Sequence, residues 1–199
     1  MLRLFKILSI CLFLFACNDL ETIKVKDDSG RLTEKYTRKK TDFAKQGTYI
    51  SYYESGKKFE EANYENNQLD GQRTMFYENG KSQIIENYKD GEFEGLYQSF
   101  YENGQLQLEG KYVNNAMNGE WKGYYKDGQL KEIVQFKDNE ENGPFVEYHK
   151  NGKIKTEGQY LNGDNENGLL KIYDEQGVLV KKMDCKLGKC KTIWTKTSN

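Results

Sequence analysis

His149 is the only imidazole in the chain, so any nucleophile that used His as its base would have to be built around it. No nucleophile elbow accompanies it. In the repeat phase set out below, His149 stands where four other units have Tyr, and an aromatic stand-in is its expected role. The run Asp138-Asn139-Glu140-Glu141-Asn142-Gly143 begins like a calcium loop. Its twelfth position is His149, where such a loop needs a Glu to supply two oxygens, and a turn is expected instead. Carboxylate pairs such as Glu60-Glu61 belong on solvated strand surface and would serve a glycosidase only if a second acid converged on them. With one His, the chain has too few ligands for a transition-metal site. The expectation is therefore a protein that is not an enzyme, with no catalytic residues, no metal and no cofactor. Cys185 and Cys190, separated by a Gly-containing turn, are expected to form a disulfide, with two free thiols or a redox pair as alternatives.

The elements that must position any site start with the N-terminus. Arg3 and Lys6 precede an apolar run of 11 residues, Ile7 to Cys17, interrupted only by Ser9. A membrane-spanning helix needs roughly 20 residues, so the run reads as a secretory signal. Its end, Leu14-Phe15-Ala16-Cys17, resembles the lipobox of bacterial lipoproteins, which implies lipidation of Cys17 and attachment to a membrane through acyl chains. Removal of residues 1–16 leaves 28 basic and 31 acidic residues, a net charge of -3. That balance provides no excess of positive charge to hold nucleic acid, nor an electrostatic reason for the domain to lie on an anionic membrane. Over the 199 residues the hydrophobic share is 36%, the charged share 31%, and Pro occurs once, which excludes a multispan membrane protein. An aromatic share of 14% argues against disorder.

The remainder is a repeat. Units open at Gly47, Gly71, Gly95, Gly119, Gly143 and Gly168, a period of 24 residues with one of 25. A second Gly follows nine residues on, at Gly56, Gly80, Gly104, Gly128, Gly152 and Gly177, so these two phases hold 12 of the 19 glycines. Five residues after the opening Gly come Tyr52, Phe76, Phe100, Tyr124, Tyr148 and Tyr173, and four of the units add Tyr53, Tyr77, Tyr101 or Tyr125 next. Seventeen residues after it come Tyr64, Tyr88, Tyr112, Phe136 and Tyr160, then Cys185. Asn, Asp or Ser before the second Gly, and turns such as Asn66-Asn67 and Asp90-Gly91 at the unit end, predict two-residue hairpin turns at positive φ. Two turns in each 24 residues leave two strands of about six, too short for helices and rich in Tyr, Phe and Ile. The predicted fold is all-β, an elongated twisted antiparallel sheet of tandem β-hairpin repeats. Aromatics on both strand faces require that it twist so that rings of neighbouring units overlap.

Gly119-Glu120-Trp121-Lys122-Gly123-Tyr124-Tyr125-Lys126-Asp127-Gly128-Gln129-Leu130 and the matching run from Gly95 to Tyr112 resemble the MORN repeats, and more closely the bacterial variant form. The resemblance implies an elongated β-sheet used for binding or scaffolding, with no shared catalytic residues. The expected layout is a signal over 1–16, a tether over 17–29, a degenerate partial repeat over 30–46, six repeats over 47–191 and a tail over 192–199. The expected function is a lipid-anchored bacterial envelope module, most simply on the outer membrane, that binds or scaffolds a protein or polysaccharide. Alternatives are an antitoxin-like inhibitor of a partner protein or an envelope hydrolase. Tyr53, Tyr77, Tyr101 and Tyr125 are the candidate binding surface. The sequence leaves the partner and the oligomeric state open.

Overall fold

The computed structural model describes residues 19–197 as one long antiparallel sheet of 17 strands, with no helix among them. The strands run in chain order as a meander, from β1 (Leu20–Lys26), β2 (Leu32–Lys39), β3 (Lys45–Tyr52) and β4 (Lys58–Glu65) to β15 (Gly168–Tyr173), β16 (Leu179–Lys186) and β17 (Lys189–Thr195). In between lie β5 (Gln68–Leu69), β6 (Gly71–Phe76), β7 (Ser82–Lys89), β8 (Glu92–Phe93), β9 (Gly95–Phe100), β10 (Leu106–Val113), β11 (Ala116–Tyr124), β12 (Leu130–Lys137), β13 (Glu140–Tyr148) and β14 (Ile154–Tyr160). The sheet does not close on itself, so β1 and β17 are its two edges.

Each unit is a hairpin in a constant register. Its opening Gly faces the aromatic seventeen residues on: Gly47↔Tyr64, Gly71↔Tyr88, Gly95↔Tyr112, Gly119↔Phe136, Gly143↔Tyr160, and Gly168↔Cys185. The opening Gly also marks a bulge toward the preceding unit. Between the pairs Lys111↔Asn118 and Glu109↔Lys122, β10 advances two residues while β11 advances four, and the same mismatch recurs between Phe136↔Glu141 and Val134↔Phe145. Backbone φ values of 74° at Gly119 and 119° at Gly143 lie in the region that side chains avoid. Bulges of this kind bend the strand and sharpen its twist. Here they roll each hairpin over the last.

The bend brings large side chains over small ones. Two residues after each opening Gly come Tyr49, Arg73, Tyr97, Trp121, Phe145 and Leu170. Trp121 is 2% exposed and lies over Gly110 of the previous unit; Leu170 and Phe145 cover Gly158 in the same manner. Rings continue the row, with centroids 5.3 Å apart for Tyr112–Trp121, 5.0 Å for Phe93–Tyr112 and 4.1 Å for Phe145–Tyr160. This single row of rings is the core. At its far end Cys185, disulfide-bonded to Cys190, packs with Phe145 and Leu170.

Three local features differ from the sequence reading. Residues 17–29 do not form only a tether, because Leu20–Lys26 is strand β1, paired along β2 and tied to it by Glu21–Arg38 at 2.8 Å. Residues 192–195, assigned to a tail, continue β17 past the disulfide. Both strands lack the Gly and aromatic phases, and what recruits them is the unpaired backbone of the neighbouring strand, which composition does not display. The turns also split into two kinds. Unit-end turns have two consecutive positive φ values, as at Asn114 (49°) and Asn115 (65°) or Asp90 (52°) and Gly91 (84°), the two-residue geometry expected; the loop at Asn162-Gly163 is longer, with Leu161 N–H donating to Asn165 O at 2.9 Å, which the 25-residue unit requires. At the hairpin tips only the Gly is left-handed: Gly80 N–H donates to Tyr77 O at 2.8 Å and Tyr77 N–H to Lys81 O at 2.9 Å. That is a three-residue loop with Gly in the bulge position, which frees Asn79 to use its side chain elsewhere.

The tyrosines of the row predict an alkaline limit. Burial pushes Tyr49, Tyr88 and Tyr160 up to about 12, and burial with a hydrogen bond to Glu109 does the same for Tyr124. A folded-state value raised above the usual ~10 favours the fold fully below that pH. The contribution is then lost as pH rises from about 10 through about 12. Ultraviolet titration should show a delayed phenolate signal, and the melting temperature should fall across that window. Phenolate absorbance completed near pH 10 with the fold intact would contradict it.

Candidate binding surface

The hairpin tips line one long side of the sheet and carry the four candidate tyrosines. Each is the first residue of a tip loop, so its ring extends toward the next unit. Tyr53 Oη donates to Phe76 O at 2.5 Å, Tyr77 to Phe100 O at 2.7 Å, Tyr101 to Tyr124 O at 2.8 Å, and Tyr125 to Tyr148 O at 2.8 Å. In the fifth unit His149 Nε2 lies 3.0 Å from Tyr173 O, so the imidazole takes the same bond as the phenols. A second rung runs beside the first. Asn79, Asn103 and Asn151 donate Nδ2 to Glu102 O, Lys126 O and Glu175 O at 2.9, 2.8 and 2.6 Å. Lys57, Lys81 and Lys153 add Nζ bonds to Glu78 O, Asn103 O and Gln176 O.

These bonds have two consequences. The candidate tyrosines spend their hydroxyls on backbone carbonyls of the following unit, so what they can offer a ligand is ring surface. They also hold the tips at a fixed spacing, because each bond spans 23 residues, one repeat less one. Between two rungs opens a groove of about 660 Å³ lined by Tyr101, Asn103, Tyr125, Lys126, Asp127 and Lys150. Lys150 Nζ lies 5.9 Å from the centre of the Tyr125 ring, within reach of a cation–π contact. The groove thus combines half-buried rings with lysines of the tip loops.

The sheet face opposite the core row bears two further grooves at equivalent places. One, of about 360 Å³, is bounded by Leu96, Glu109, Gly110, Lys111, Glu120 and Lys122. The other, of about 370 Å³, includes Pro144, Glu157, Gly158, Gln159, Leu169 and Lys171. Both sit behind the glycines that the core rings cover, and both carry a Glu that accepts a Tyr hydroxyl of the next unit: Tyr124 to Glu109 and Tyr173 to Glu157, each at 2.7 Å. Lys171 also pairs with Glu157 at 2.8 Å, and these two donors hold the Glu157 carboxyl below its usual range, Lys171 first. The repeat periodicity gives no hint of these grooves; a signal existed only in Gly110 and Gly158, which fall outside the two conserved-phase glycines of the unit.

The ion pairs inside the core row join the first and second units. Arg73 takes the place of an aromatic, with Nε 2.6 Å from Glu60 Oε1 and Nη1 3.2 Å from Glu86 Oε2. Tyr88 Oη donates to Glu86 at 3.0 Å. Burial works against the Arg73 charge, and the bond to Glu60 with the neighbouring carboxylates overcomes it, so its pKa is raised. Glu60, expected on solvated strand surface, is instead buried, because the bend between hairpins brings Arg73 and Glu86 to it; both carboxylates are engaged by the guanidinium. Among the described residues no group of three or more His, Cys, Asp or Glu side chains is arranged to hold a metal ion, and no helix is long and apolar enough to cross a membrane. Cys17 and the signal segment lie outside the described residues.

Comparison with known proteins follows the same units. The pattern described as MORN repeat variant matches residues 45–66, 69–90, 93–114, 117–138 and 141–162. The unit at Gly168 lies beyond these matches and keeps their register, from Gly168↔Cys185 to Tyr173↔Leu179. No curated protein matches the chain. Among solved structures, the Photorhabdus luminescens Tc holotoxin pore is similar over 83% of this chain and 12% of its own, at 10% identity and a TM-score of 0.26. The five matched repeats take in 110 of 199 residues, and their bounds coincide with the paired, bulged hairpins of the sheet, so the chain belongs to the MORN repeat variant family.

Proposed function

We propose that this protein is a lipid-anchored, non-enzymatic module of a bacterial envelope whose tip-loop edge binds or scaffolds a protein or polysaccharide. The observation that carries the reading is the repetition of one chemistry at one spacing along that edge: rings at Tyr53, Tyr77, Tyr101 and Tyr125, each bonded to the next unit, with a groove between the rungs of Tyr101 and Tyr125. A rigid row of equivalent positions suits an extended partner, because little conformational freedom is lost on binding. The apparent lipobox at Cys17 supplies the anchor, since two or more acyl chains hold a protein to a membrane where one does not.

Fractionation and capture test the two halves of this reading. The wild-type protein should sediment with the envelope, and Cys17→Ala should move it to the soluble fraction. Sedimentation of the variant as an uncleaved precursor would show that the signal itself is the anchor. Capture from intact cells should return one glycan or protein unchanged, and Tyr101→Ala/Tyr125→Ala should weaken it. Turnover of the captured material that Glu-to-Gln substitutions abolish would replace the module with an enzyme.

A further inference from the structure

The charge of this chain is unevenly placed along the sheet. Residues 47–178 carry 14 basic and 24 acidic side chains, a net charge of -10. The last stretch, 179–196, carries six lysines and only Asp184, a net charge of +5. None of the ion pairs among the described residues involves Lys181, Lys182, Lys186, Lys189, Lys191 or Lys196. The register of β16 and β17 sorts them further. Lys182↔Trp194, Asp184↔Lys191 and Lys186↔Lys189 share the face opposite the core row, while Met183 and Cys185 lie on the core side.

Two readings of these lysines compete. Lysines on an edge strand deter edge-to-edge pairing, which accounts for Lys189 and Lys191 on β17. It does not account for Lys182 and Lys186, since β16 is paired on both sides. Placing Lys186 directly across from Lys189 costs the fold, because like charges in facing positions repel. A feature that weakens the hairpin calls for a counter-charge from outside. Trp194, 42% exposed with Lys182 Nζ 5.8 Å from its ring, adds a flat apolar surface to the same face.

We infer that the outer face of the β16–β17 hairpin binds an acidic polysaccharide, its carboxylates meeting Lys182, Lys186, Lys189 and Lys191 and a sugar ring lying on Trp194. The inference rests on the binding-module reading and adds a second surface and a ligand class to it. A glycan fits better than a lipid surface for a geometric reason. Leu187, in the turn before β17, stands roughly 20 Å at the usual strand rise from the exposed Ile193 and Trp194 near the far end of β17, so these apolar residues form no common tip to insert in a bilayer. The acidic units over 47–178 would repel a polyanion, which the basic β16–β17 end could approach; residues 35–46 are the other basic stretch, with five basic side chains and Asp42, but there Arg38 is paired with Glu21.

Titration of the full mature protein with alginate, a polymer of uronic acids, tests this, with neutral pullulan, phosphatidylglycerol vesicles and duplex DNA as parallel probes. Alginate should bind with an affinity that falls as salt rises, and pullulan should not bind. Lys186→Glu/Lys189→Glu/Lys191→Glu should weaken binding about tenfold or more, with the corresponding Gln triple variant in between. Trp194→Ala should weaken it severalfold without altering the salt dependence. Lys24→Glu/Lys26→Glu/Lys35→Glu, on the exposed surface of β1 and β2 at the other end of the sheet, should leave it within about twofold although it changes the net charge by the same amount. Unchanged melting temperatures would confirm that the variants fold. Equal loss in the Lys24/Lys26/Lys35 variant, equal affinity for vesicles or DNA, or no alginate binding at low salt would each overturn the inference. Capture at the tip-loop edge that persists while alginate fails to bind would leave the module reading standing without this surface.

Discussion

Gly110→Ala should unfold the middle of the array, although it adds one methyl group. A Cβ built at Gly110 falls 2.1 Å from Trp121 Cδ2 and 2.3 Å from Cε2, inside any contact real atoms tolerate. The backbone of β10 is held by β9 and β11, so the indole must leave. Trp121 is 2% exposed and touches Tyr97, Tyr112 and Phe136. Expelling a ring of that kind costs about 3–5 kcal/mol, as a truncation to Ala would. Gly119→Ala is the contrast: nothing lies within 4 Å of its added Cβ, and the penalty is the left-handed backbone at φ 74°, about 1–2 kcal/mol. Urea unfolding of both variants, with Trp121→Ala and the Gly110→Ala/Trp121→Ala double variant, decides the mechanism. If the collision is the cause, Gly110→Ala adds little once Trp121 is already Ala. Additive losses would mean that Gly110 serves the backbone instead.

Arg73→Met should cost nearly as much, by a different route. Glu60 and Glu86 are buried residues, 9% and 8% exposed, whose carboxylates face Arg73 at 2.6 and 3.2 Å. Removing the guanidinium leaves two like charges together without a counter-ion, and breaking a buried pair in this way costs about 3–5 kcal/mol. Replacing the whole cluster is a different matter, since an apolar substitute for a buried ion group is often neutral or stabilising. Arg73→Tyr with Glu60→Leu and Glu86→Val restores the kind of residues that Tyr49, Leu108 and Val134 supply at matching phases, and it should recover most of the loss. A single variant as stable as wild type would show that the carboxylates reach water. Because each hairpin contacts chiefly its neighbours, hydrogen exchange should rise around β4, β6 and β7 and stay unchanged beyond β12.

The hairpin unit itself was legible in the chain. Glycine at two phases and aromatics at two others fix strand length, turn positions and register, because a turn needs positive φ and a ring needs a partner at constant spacing. The same phases placed His149 among the tyrosines, and the bond to Tyr173 O shows why: imidazole nitrogen and phenol oxygen reach the same carbonyl. Strands β1 and β17 were not legible. Their residues repeat nothing, and they are strands only because a neighbour presents an unpaired edge.

The pattern of residues therefore settles everything local and periodic: an all-β chain of hairpins, their register, and the residues that recur. Tertiary structure alone decided what those residues do. A Gly at the head of each unit, by periodicity a mere spacer, is the bulge that rolls one hairpin over the next, and it is this roll that lays Trp121 on Gly110 and joins Arg73 to both Glu60 and Glu86. Contacts of that kind connect residues 11 to 13 positions apart across a strand pair, and they depend on an angle between hairpins that no single hairpin contains. The tyrosines of the tip loops show the same division, since their phase was plain in the sequence while the commitment of each hydroxyl to the following unit exists only once the units are stacked.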